Sequence, residues 1–414
     1  MASPSSPSTP RWLRHRVIGL SALLLALAAT HASAQDQQPE PDSRAAIIEQ
    51  AQAEKATQVH PYVPNAAEAY LNYAERVLER GPRFHPYFIN AYAGGGFTLG
   101  AGHTSYLGSH DTLDVRASFT PSGYKRLEAE FIAPQLLDRQ ASLSLIGGWR
   151  EATRVGYYGT GMANSSNDRA NYGFKQPYGM ARFDVRPGGR ALVLRTGVDI
   201  SEWQQQSGSG SPPSIEDVYT PETLPGLGTS VTYLHSYVMA GVDRRPAADY
   251  TRRGGFYGVV AHDFHDTSGG YGFTQWEYEG IQHVPLLRET WVLSFHARAT
   301  TTGTKDDQPI PFYMLPSIGG GSSLRGYASW RFRDRNTLLL QAEWRVIVNR
   351  FFDTAVFYDA GKVAPHARDL NLDGLRHDAG FGLRFHGPDA TPVRIDIARG
   401  DEGFHIVFAA SASF

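Results

Sequence analysis

The most restrictive feature of this sequence is an alternation of apolar and polar residues with a period of two, which recurs in segment after segment from about residue 84 onward. Leu113, Val115, Ala117 and Phe119, for example, alternate with polar and charged residues. Successive side chains of a strand point to opposite faces, so each segment predicts a β-strand with one apolar and one polar face. Turn-forming residues separate the segments, and the pattern therefore predicts an all-β protein.

The polar faces of several segments carry full charges, as at Glu128, Glu130 and Glu343. Many segments have about ten residues, whereas strands in globular proteins usually have about five or six. An apolar face toward lipid and a charged face toward a wet lumen are typical of an outer-membrane barrel. We therefore predict a transmembrane antiparallel β-barrel of about 16 strands over residues 85–414. A soluble β-sandwich or propeller is the alternative, and it accounts less well for the strand length and the charged faces.

Composition excludes several other classes of protein. The chain has 414 residues and no cysteine, so it forms neither a disulfide scaffold nor a thiolate metal site. Outside the N-terminus, no apolar run approaches the roughly 20 residues that a membrane-spanning helix needs. The formal net charge of −2 gives no indication of nucleic-acid binding.

The N-terminus has the pattern of a secretory signal. Three arginines precede an apolar run from Val17 to Ala29, and small residues follow at Ala32 and Ala34. This order predicts a signal peptide over residues 1–34, and its removal would take away three positive charges and change the formal net charge from −2 to −5. A retained membrane anchor is the alternative, for which the apolar run is too short.

Residues 35–84 are polar and rich in alanine and glutamate. Asn65 and Glu68 have the spacing of a helix N-cap and its capping-box partner, and Gly81 with Pro82 ends the helical pattern. The apolar residues at helical spacing are Tyr70, Leu71, Ala74, Val77 and Leu78. We predict a periplasmic helical segment or linker here, with the helix across the periplasmic mouth of the barrel rather than inside the lumen as a plug.

The final segment alternates up to the last residue. The residues that share its apolar face are Phe404, Ile406, Phe408, Ala410, Ala412 and Phe414. A last strand of this kind that ends in Phe resembles the C-terminal signature of bacterial outer-membrane proteins. The resemblance implies the bacterial outer membrane as the location, with outer-membrane lipid, lipopolysaccharide and, during biogenesis, the barrel-assembly machinery as partners.

Two motifs near the C-terminus carry a more specific resemblance. A glycine-rich stretch leads to Leu324-Arg325-Gly326-Tyr327, and about thirty residues later Phe357, Asp359 and Gly361 form the pattern F-x-D-x-G. Together they resemble the inward-folding loop and the strand motif of the BamA/TamA, or bacterial surface antigen, family. The resemblance is strong from about residue 315 to residue 414.

The family resemblance implies that Arg325 pairs with Asp359 inside the lumen. An arginine and an aspartate can form a bidentate, charge-assisted contact. Strand parity turns a further set of charges away from the lipid, and we predict a lumenal charge network of Glu343, Arg345, Arg384, Arg394 and Asp396. An ordinary surface loop at Leu324 to Tyr327 is the alternative.

The chain departs from the family in its N-terminal segment. Family members that insert or translocate proteins carry POTRA domains of roughly 75 residues before the barrel, and residues 35–84 are too few for one. The barrel is therefore expected to work with a periplasmic partner protein or to do something other than assembly. Counting strands from Phe414 predicts that the loops at Leu324 to Tyr327 and at Asp369 to Gly374 are extracellular, and that the turn at Gly387 to Thr391 is periplasmic.

No catalytic or cofactor motif stands out. The Asp369 to Gly374 loop begins like a calcium loop, but Gly380 occupies the position that requires glutamate. We expect no enzyme activity, no metal and no cofactor. The leading hypothesis is insertion or transport of outer-membrane proteins, and a passive porin-like channel or a structural outer-membrane protein is the alternative. An outer-membrane lipase would need a nucleophile and a base that the sequence does not indicate.

Overall fold

The computed structural model describes residues 48, 83–187, 191–248, 250–387, 391, 393–409 and 411–414. The predicted signal peptide over residues 1–34 lies outside this part of the chain. The predicted helix from Asn65 to Arg80 lies outside it as well, together with nearly all of residues 35–84. The domain division at residues 34 and 84 therefore stays a prediction.

Eighteen strands make up the described part of the chain. The first nine are β1 (Phe84–Pro86), β2 (Leu99–Leu107), β3 (Asp111–Phe119), β4 (Lys125–Leu136), β5 (Ala141–Tyr157), β6 (Ala170–Val185), β7 (Leu192–Ser207), β8 (Ser230–Asp243) and β9 (Gly254–Asp266). The others are β10 (Phe273–Leu286), β11 (Trp291–Thr304), β12 (Ser317–Ile318), β13 (Phe332–Arg333), β14 (Asn336–Asn349), β15 (Phe352–Ala364), β16 (Arg376–Phe385), β17 (Val393–Gly400) and β18 (Gly403–Ala409). Single 3₁₀ turns lie at Ser166–Asp168, Ile215–Asp217, Phe312–Met314 and Ala367–Asp369.

Sixteen of the strands form one antiparallel sheet in sequence order, and β12 pairs with β13 apart from it. Strands β12 and β13 belong to the long connection between β11 and β14. Strands β11 and β14 are therefore neighbours in the large sheet. The order begins with β1 and ends with β18, the two strands that a closed barrel brings together. The prediction of a transmembrane β-barrel of about 16 strands is confirmed.

The two faces of the wall differ as the alternation predicts. Large apolar side chains such as Ile200, Val238 and Phe295 are exposed on the outer face, which is the surface that lipid covers. Charged side chains such as Glu128 and Asp359 are buried on the inner face. No helix in the part of the chain that the structure describes is long and apolar enough to cross a membrane.

The two ends of the barrel carry different connections. At one end, here called the short-turn end, strands are joined by short connections such as those at 137–140, 287–290 and 350–351. At the other, the long-loop end, lie the long connections at 208–229 and 305–335. The loops at Leu324 to Tyr327 and Asp369 to Gly374 start from the long-loop end, and the connection between β16 and β17 lies at the short-turn end.

Apolar residues of two long loops are buried against the inner wall at the long-loop end. Ile215, Leu224 and Leu227 from one long connection and Phe312 from the other are buried there. They pack against inward-facing aromatic residues of the wall, which are Tyr157, Tyr172, Phe174, Trp203, Tyr233 and Phe273. This cluster is the main hydrophobic core of the described residues, and it lies inside the barrel rather than between two sheets.

The structure corrects one expectation about the C-terminus. Phe404, Ile406 and Phe408 do face outward and are between 62% and 74% exposed. The strand ends at Ala409, however, and the ring of Phe414 stacks inside the lumen on the buried His296, with the centroids 5.1 Å apart. The prediction that Phe414 shares the outward face is therefore wrong, because β18 ends before Phe414 and the strand alternation no longer applies to it.

Candidate functional site: a loop docked in the lumen

The long connection between β11 and β14 turns back into the barrel. The short pair of β12 and β13 brings its two arms together, and the loop from 319 to 331 forms the tip. Gly319 and Gly320 have φ angles of 120° and 98°, a region that favours glycine. We call residues 315–335 the latch loop.

Arg325 lies at the tip of the latch loop, and its side chain is fully buried. Its Nε and Nη2 atoms donate to the two carboxylate oxygens of Asp359, each over 2.7 Å. Its Nη1 atom donates to Glu343 over 3.1 Å and to Asp396 over 3.4 Å. The loop therefore inserts one cation among three carboxylates of the barrel wall.

Further arginines balance the carboxylates that Arg325 shares. Arg384 donates to Glu343 over 2.7 Å and also bonds Asp396. Arg394 lies 3.4 Å from Asp396, and its Nη2 donates to the carbonyl oxygen of Gly321 in the latch loop over 2.8 Å. The wall thus holds the loop both through its charge and through its backbone.

An aromatic ring contacts the guanidinium group of Arg325, and two glycines leave space for the ring and for the loop. The guanidinium carbon of Arg325 lies 3.4 Å from the ring centroid of Phe357, a cation–π contact. A Cβ atom at Gly380 would lie 2.4 Å from the same ring, so glycine is required beneath it. At Gly361, a Cβ atom would lie 3.1 Å from Ile318 and 3.6 Å from Leu324, so this glycine makes room for the loop.

The rest of the L-R-G-Y motif packs against the wall. Leu324 and Tyr327 are buried in a small apolar cluster with Leu339 and Val363. The hydroxyl group of Tyr327 donates to the carbonyl oxygen of His377 over 3.2 Å. A Cβ atom at Gly326 would lie 2.5 Å from Asp378 Cβ. Each residue of the motif therefore has a distinct packing role.

One member of the predicted charge network bonds a backbone carbonyl group, although it lines the same small cavity as Glu343 and Arg384. Arg345 is buried, and it donates to the backbone carbonyl of Thr251, near the short-turn end, rather than to a carboxylate around Arg325. The geometry brings Arg325, Glu343, Arg384, Arg394 and Asp396 together with Asp359.

Three further residues belong to the site: Gln341 and Gly382, which strand parity places on the inner face, and Asp378, which sequence reasoning missed. Gln341 donates to Asp359 over 3.0 Å and to the carbonyl oxygen of Ser323 over 2.8 Å. Asp378 pairs in register with Asp359 and is buried beside the loop. Gly382 leaves room for the contact between Arg384 and Asp396. Strand parity places Asp378 on the inner face as well, and it is the signal that could have found this residue.

The site is a desolvated charge cluster and holds no feature of a metal centre. Among the described residues, no group of three or more histidines and carboxylates is arranged to hold a metal ion. Removing one partner of a buried ion pair is costly because it leaves an uncompensated charge in a low dielectric. The arrangement can therefore act as a latch, with a docked loop and a released loop as its two states.

Comparison with protein families gives a match over most of the chain. The model of the Omp85 superfamily domain matches residues 106–414. The match includes the latch loop and every carboxylate around Arg325. A comparison with curated protein sequences gives no significant match.

Two solved structures have a similar fold. The barrel is similar to BamA from Haemophilus ducreyi lacking POTRA domains 1–3, with a TM-score of 0.57 and 15% identity over 79% of this chain and 69% of that one. It is also similar to CdiB from Escherichia coli, with a TM-score of 0.52 and 14% identity over 75% of this chain and 58% of that one. At these identities the likeness concerns the fold alone.

Proposed function

The chain belongs to the Omp85 superfamily, and from this membership we propose that it inserts proteins into the outer membrane or moves them across it. It is an outer-membrane protein. The observation that carries the proposal is Arg325, a fully buried cation at the tip of a long loop and within reach of three wall carboxylates. Such a contact gives the loop two states, docked and released. A barrel that inserts or transports other proteins needs two states of this kind.

The membrane orientation follows from the two ends of the barrel. Bacterial outer-membrane barrels have short periplasmic turns and longer extracellular loops. The short-turn end is therefore proposed to face the periplasm, with the latch loop entering the lumen from the extracellular side. A client would arrive at the short-turn end and leave laterally between β1 and β18, the two end strands of the sheet.

A passive porin-like channel is the second candidate. Charges along the inner face, such as those of Arg182 and Glu277, favour it. The apolar cluster around Phe312 and Trp203 argues against a permanently open pore, because it packs residues of two long loops against the inner wall at the long-loop end. Insertion or transport with a lumen that is closed at rest therefore accounts better for the interior.

Depletion of the protein tests the proposal directly. Cells would be depleted and complemented with the wild type, with Arg325→Ala, or with Arg335→Ala, which changes an exposed arginine of the same loop. Quantitative proteomics of the outer membrane is expected to show a loss of specific proteins that the wild type and Arg335→Ala restore and Arg325→Ala does not. An unchanged outer-membrane proteome on depletion would contradict the proposal.

A conductance measurement distinguishes the passive porin-like channel from the proposed insertion or transport function. The purified barrel in a planar bilayer is expected to give low conductance that rises in Arg325→Ala, because release of the loop opens the lumen. A large, stable conductance in the wild type would favour the porin. The proposed function involves no catalysis. It does involve a periplasmic partner protein, which crosslinking from the turn at 287–290 would identify.

A further inference from the structure

Six exposed arginines lie at the short-turn end of the barrel, where the exposed Asp138 and the half-buried Asp243 and Glu289 also lie. The six are Arg139, Arg186, Arg244, Arg253, Arg288 and Arg350. Two of them have a carboxylate at long range, since Arg186 lies 3.9 Å from Asp243 and Arg253 lies 3.7 Å from Glu289. The formal net charge of the whole chain is −2, so this basic rim runs against the overall balance of charge.

Two turns of this rim have the same unusual backbone. Leu137 and Arg139 have φ angles of 49° and 69°, and the corresponding residues of the second turn, Leu287 and Glu289, have 44° and 66°. Left-handed conformations are unfavourable for residues with a Cβ atom, and they persist where the surroundings require them. In both turns the result is an exposed leucine beside an exposed arginine, with Leu137 at 65% and Leu287 at 61%.

A third turn repeats this pairing with an aromatic residue. Phe351 is 56% exposed, and the guanidinium carbon of Arg350 lies 4.5 Å from its ring centroid. Large apolar side chains at the edge of a membrane enter the acyl region while neighbouring arginines stay at the level of the headgroups. The rim therefore has the chemistry of a surface that meets anionic lipid.

A pocket of about 550 Å³ lies within this rim. Arg252 and Arg253 of one connection and Arg350 of another line it, together with Tyr250 and Phe351. Within the described part of the chain, neither Arg252 nor Arg350 has a carboxylate at ion-pair distance. Three guanidinium groups thus line the pocket together with aromatic residues and one carboxylate, that of Glu289, which lies 3.7 Å from Arg253.

A buried hydrogen-bonded cluster fixes the floor of this pocket. The hydroxyl group of Tyr250 donates to Asp353 over 3.0 Å and lies 3.1 Å from Nε2 of His386. The side chain of Asp353 is fully buried, and Arg252 donates from Nε to the hydroxyl group of Tyr250 over 3.3 Å. The connection is further tied down by Arg345, which bonds the carbonyl oxygen of Thr251. The pocket is therefore preorganised rather than formed by a free loop.

We propose that this pocket binds the phosphate-bearing headgroup of an anionic phospholipid in the periplasmic leaflet. Guanidinium groups match phosphate oxygens in bidentate geometry, and Arg252, Arg253 and Arg350 surround the space. Phe351, which lines the pocket, is 56% exposed, and Leu287, in the turn that carries the lining residue Glu289, is 61% exposed. These apolar neighbours favour a lipid over an acidic protein segment, and the inference is independent of any client of the barrel.

Lipid titration of the purified protein tests this inference. Detergent-solubilised wild type would be titrated with dioleoylphosphatidylglycerol and, separately, with dioleoylphosphatidylcholine, and bound lipids would be counted by native mass spectrometry. The triple variant Arg252→Gln, Arg253→Gln, Arg350→Gln is expected to bind the anionic lipid at least about tenfold more weakly. Phosphatidylcholine binding is expected to stay the same in both proteins.

A matched variant at the opposite end controls for non-specific charge. Arg335→Gln, Arg368→Gln, Arg399→Gln removes three exposed arginines from the long-loop end and is expected to bind lipid like the wild type. A second version of the pocket variant, with lysines instead of glutamines, keeps the charge and is expected to recover part of the affinity.

Three outcomes would overturn the inference. One is equal loss of anionic lipid binding in both glutamine triples, since any exposed arginine would then suffice. Another is unchanged lipid binding in a pocket variant whose heat-modifiable migration shows a folded barrel. The third is tighter binding of a polyglutamate peptide than of phosphatidylglycerol, which would assign the pocket to an acidic protein.

Discussion

Two of the segments that fold into the barrel are held there by opposite means. The latch loop brings its own cation, Arg325, to carboxylates that belong to the wall. The segment 87–98 between β1 and β2 instead offers its backbone carbonyls to cations of the wall. Arg126 donates to the carbonyl oxygen of Asn90 and Arg150 to that of Ala91, each over 3.4 Å.

The difference lies in what remains when one contact is lost. Without Arg325, buried carboxylates lose a charged partner in a low dielectric. Without Arg126, a backbone carbonyl loses one long hydrogen bond, and Glu128 still accepts from Arg116 and from Tyr178. We infer that the latch loop depends on a single residue, whereas the segment 87–98 depends on many weak contacts.

The two segments meet at a pair of aromatic rings. Tyr92 and Trp330 are stacked with their centroids 4.5 Å apart, and Nε1 of Trp330 donates to the carbonyl oxygen of Ala93 over 3.0 Å. Trp330 has a φ of 64°, an unfavourable conformation for a bulky residue. The meeting point therefore lies in a strained part of the latch loop. We expect release of one segment from the wall to weaken the docking of the other.

The absence of cysteine from the sequence allows a separate reporter for each segment. Ala91 and Ser323 are both buried, at 3% exposure each, one in the segment 87–98 and the other in the latch loop. A single cysteine at either position reacts with a thiol reagent only when its segment leaves the wall. Ala91→Cys and Ser323→Cys therefore report separately on the release of the two segments.

The largest effect is expected for Arg325→Ala. Loss of the buried cation should destabilise loop docking by about 3–5 kcal/mol, because Asp359, Glu343 and Asp396 lose their shared partner. The Ser323→Cys reporter should become reactive, and protease should cut within residues 315–335. Arg335→Ala is the control. If both loop accessibility and folded yield are unchanged in Arg325→Ala, the docked-loop interpretation fails.

A smaller effect is expected for Gly326→Ala, which tests packing without changing any charge. The added Cβ atom would lie 2.5 Å from Asp378 Cβ and 2.6 Å from the backbone nitrogen of Gly400, so the tip has to shift. Overpacking of this kind costs about 1–3 kcal/mol. The Ser323→Cys labelling rate should rise, although less than in Arg325→Ala.

Gly147→Ala is the control for this change, because its Cβ atom would have no neighbour within 4 Å. An unchanged labelling rate in Gly326→Ala would mean that the tip adapts freely. The ion pair alone would then determine docking.

The fold was predictable because its signal is repeated in every strand. A period of two assigns each residue to one face, so Glu343 and Arg384 could be placed on the inner face before any strand pairing was known. The pairing of Arg325 with Asp359 came from the resemblance of two motifs, since nothing in the alternation indicates which loop enters the lumen. Parity and motif together therefore located most of the site.

The remaining contacts depend on register and on departures from the strand. Asp378 lies beside Asp359 because β15 and β16 pair in one particular register, which the connection between them sets. Phe414 turns inward because the strand stops at Ala409. The sequence gives no sign of this, because small residues such as Ala412 are compatible both with a continued strand and with a chain that leaves it. The segment 87–98 gave no signal because it binds largely through backbone carbonyls, which every residue has.

A moderate effect is expected at the meeting point of the two segments. In a double-mutant cycle of Tyr92→Leu and Trp330→Leu, the coupling should be about 0.5–1.5 kcal/mol, the value typical of an aromatic pair beyond its buried area. Each single change should raise the labelling of both reporters.

The matched control for this cycle is the pair of Trp291 and Trp344 on the outer face, with centroids 5.0 Å apart. Its disruption should leave both reporters silent. Zero coupling between Tyr92 and Trp330 would show that the two segments are released independently.

The smallest effect is expected for Arg126→Gln, and this variant separates the two segments most sharply. Arg126 is 19% exposed at its side chain and shares Glu128 with Arg116, so its loss should cost less than about 1 kcal/mol. Labelling of Ala91→Cys should rise by less than about fivefold, the factor that corresponds to 1 kcal/mol. Labelling of Ser323→Cys should not change, because Arg325 keeps all its partners. A rise at Ser323→Cys as large as that at Ala91→Cys would show that the two segments leave the wall as one unit, and the distinction between them would then have no energetic meaning.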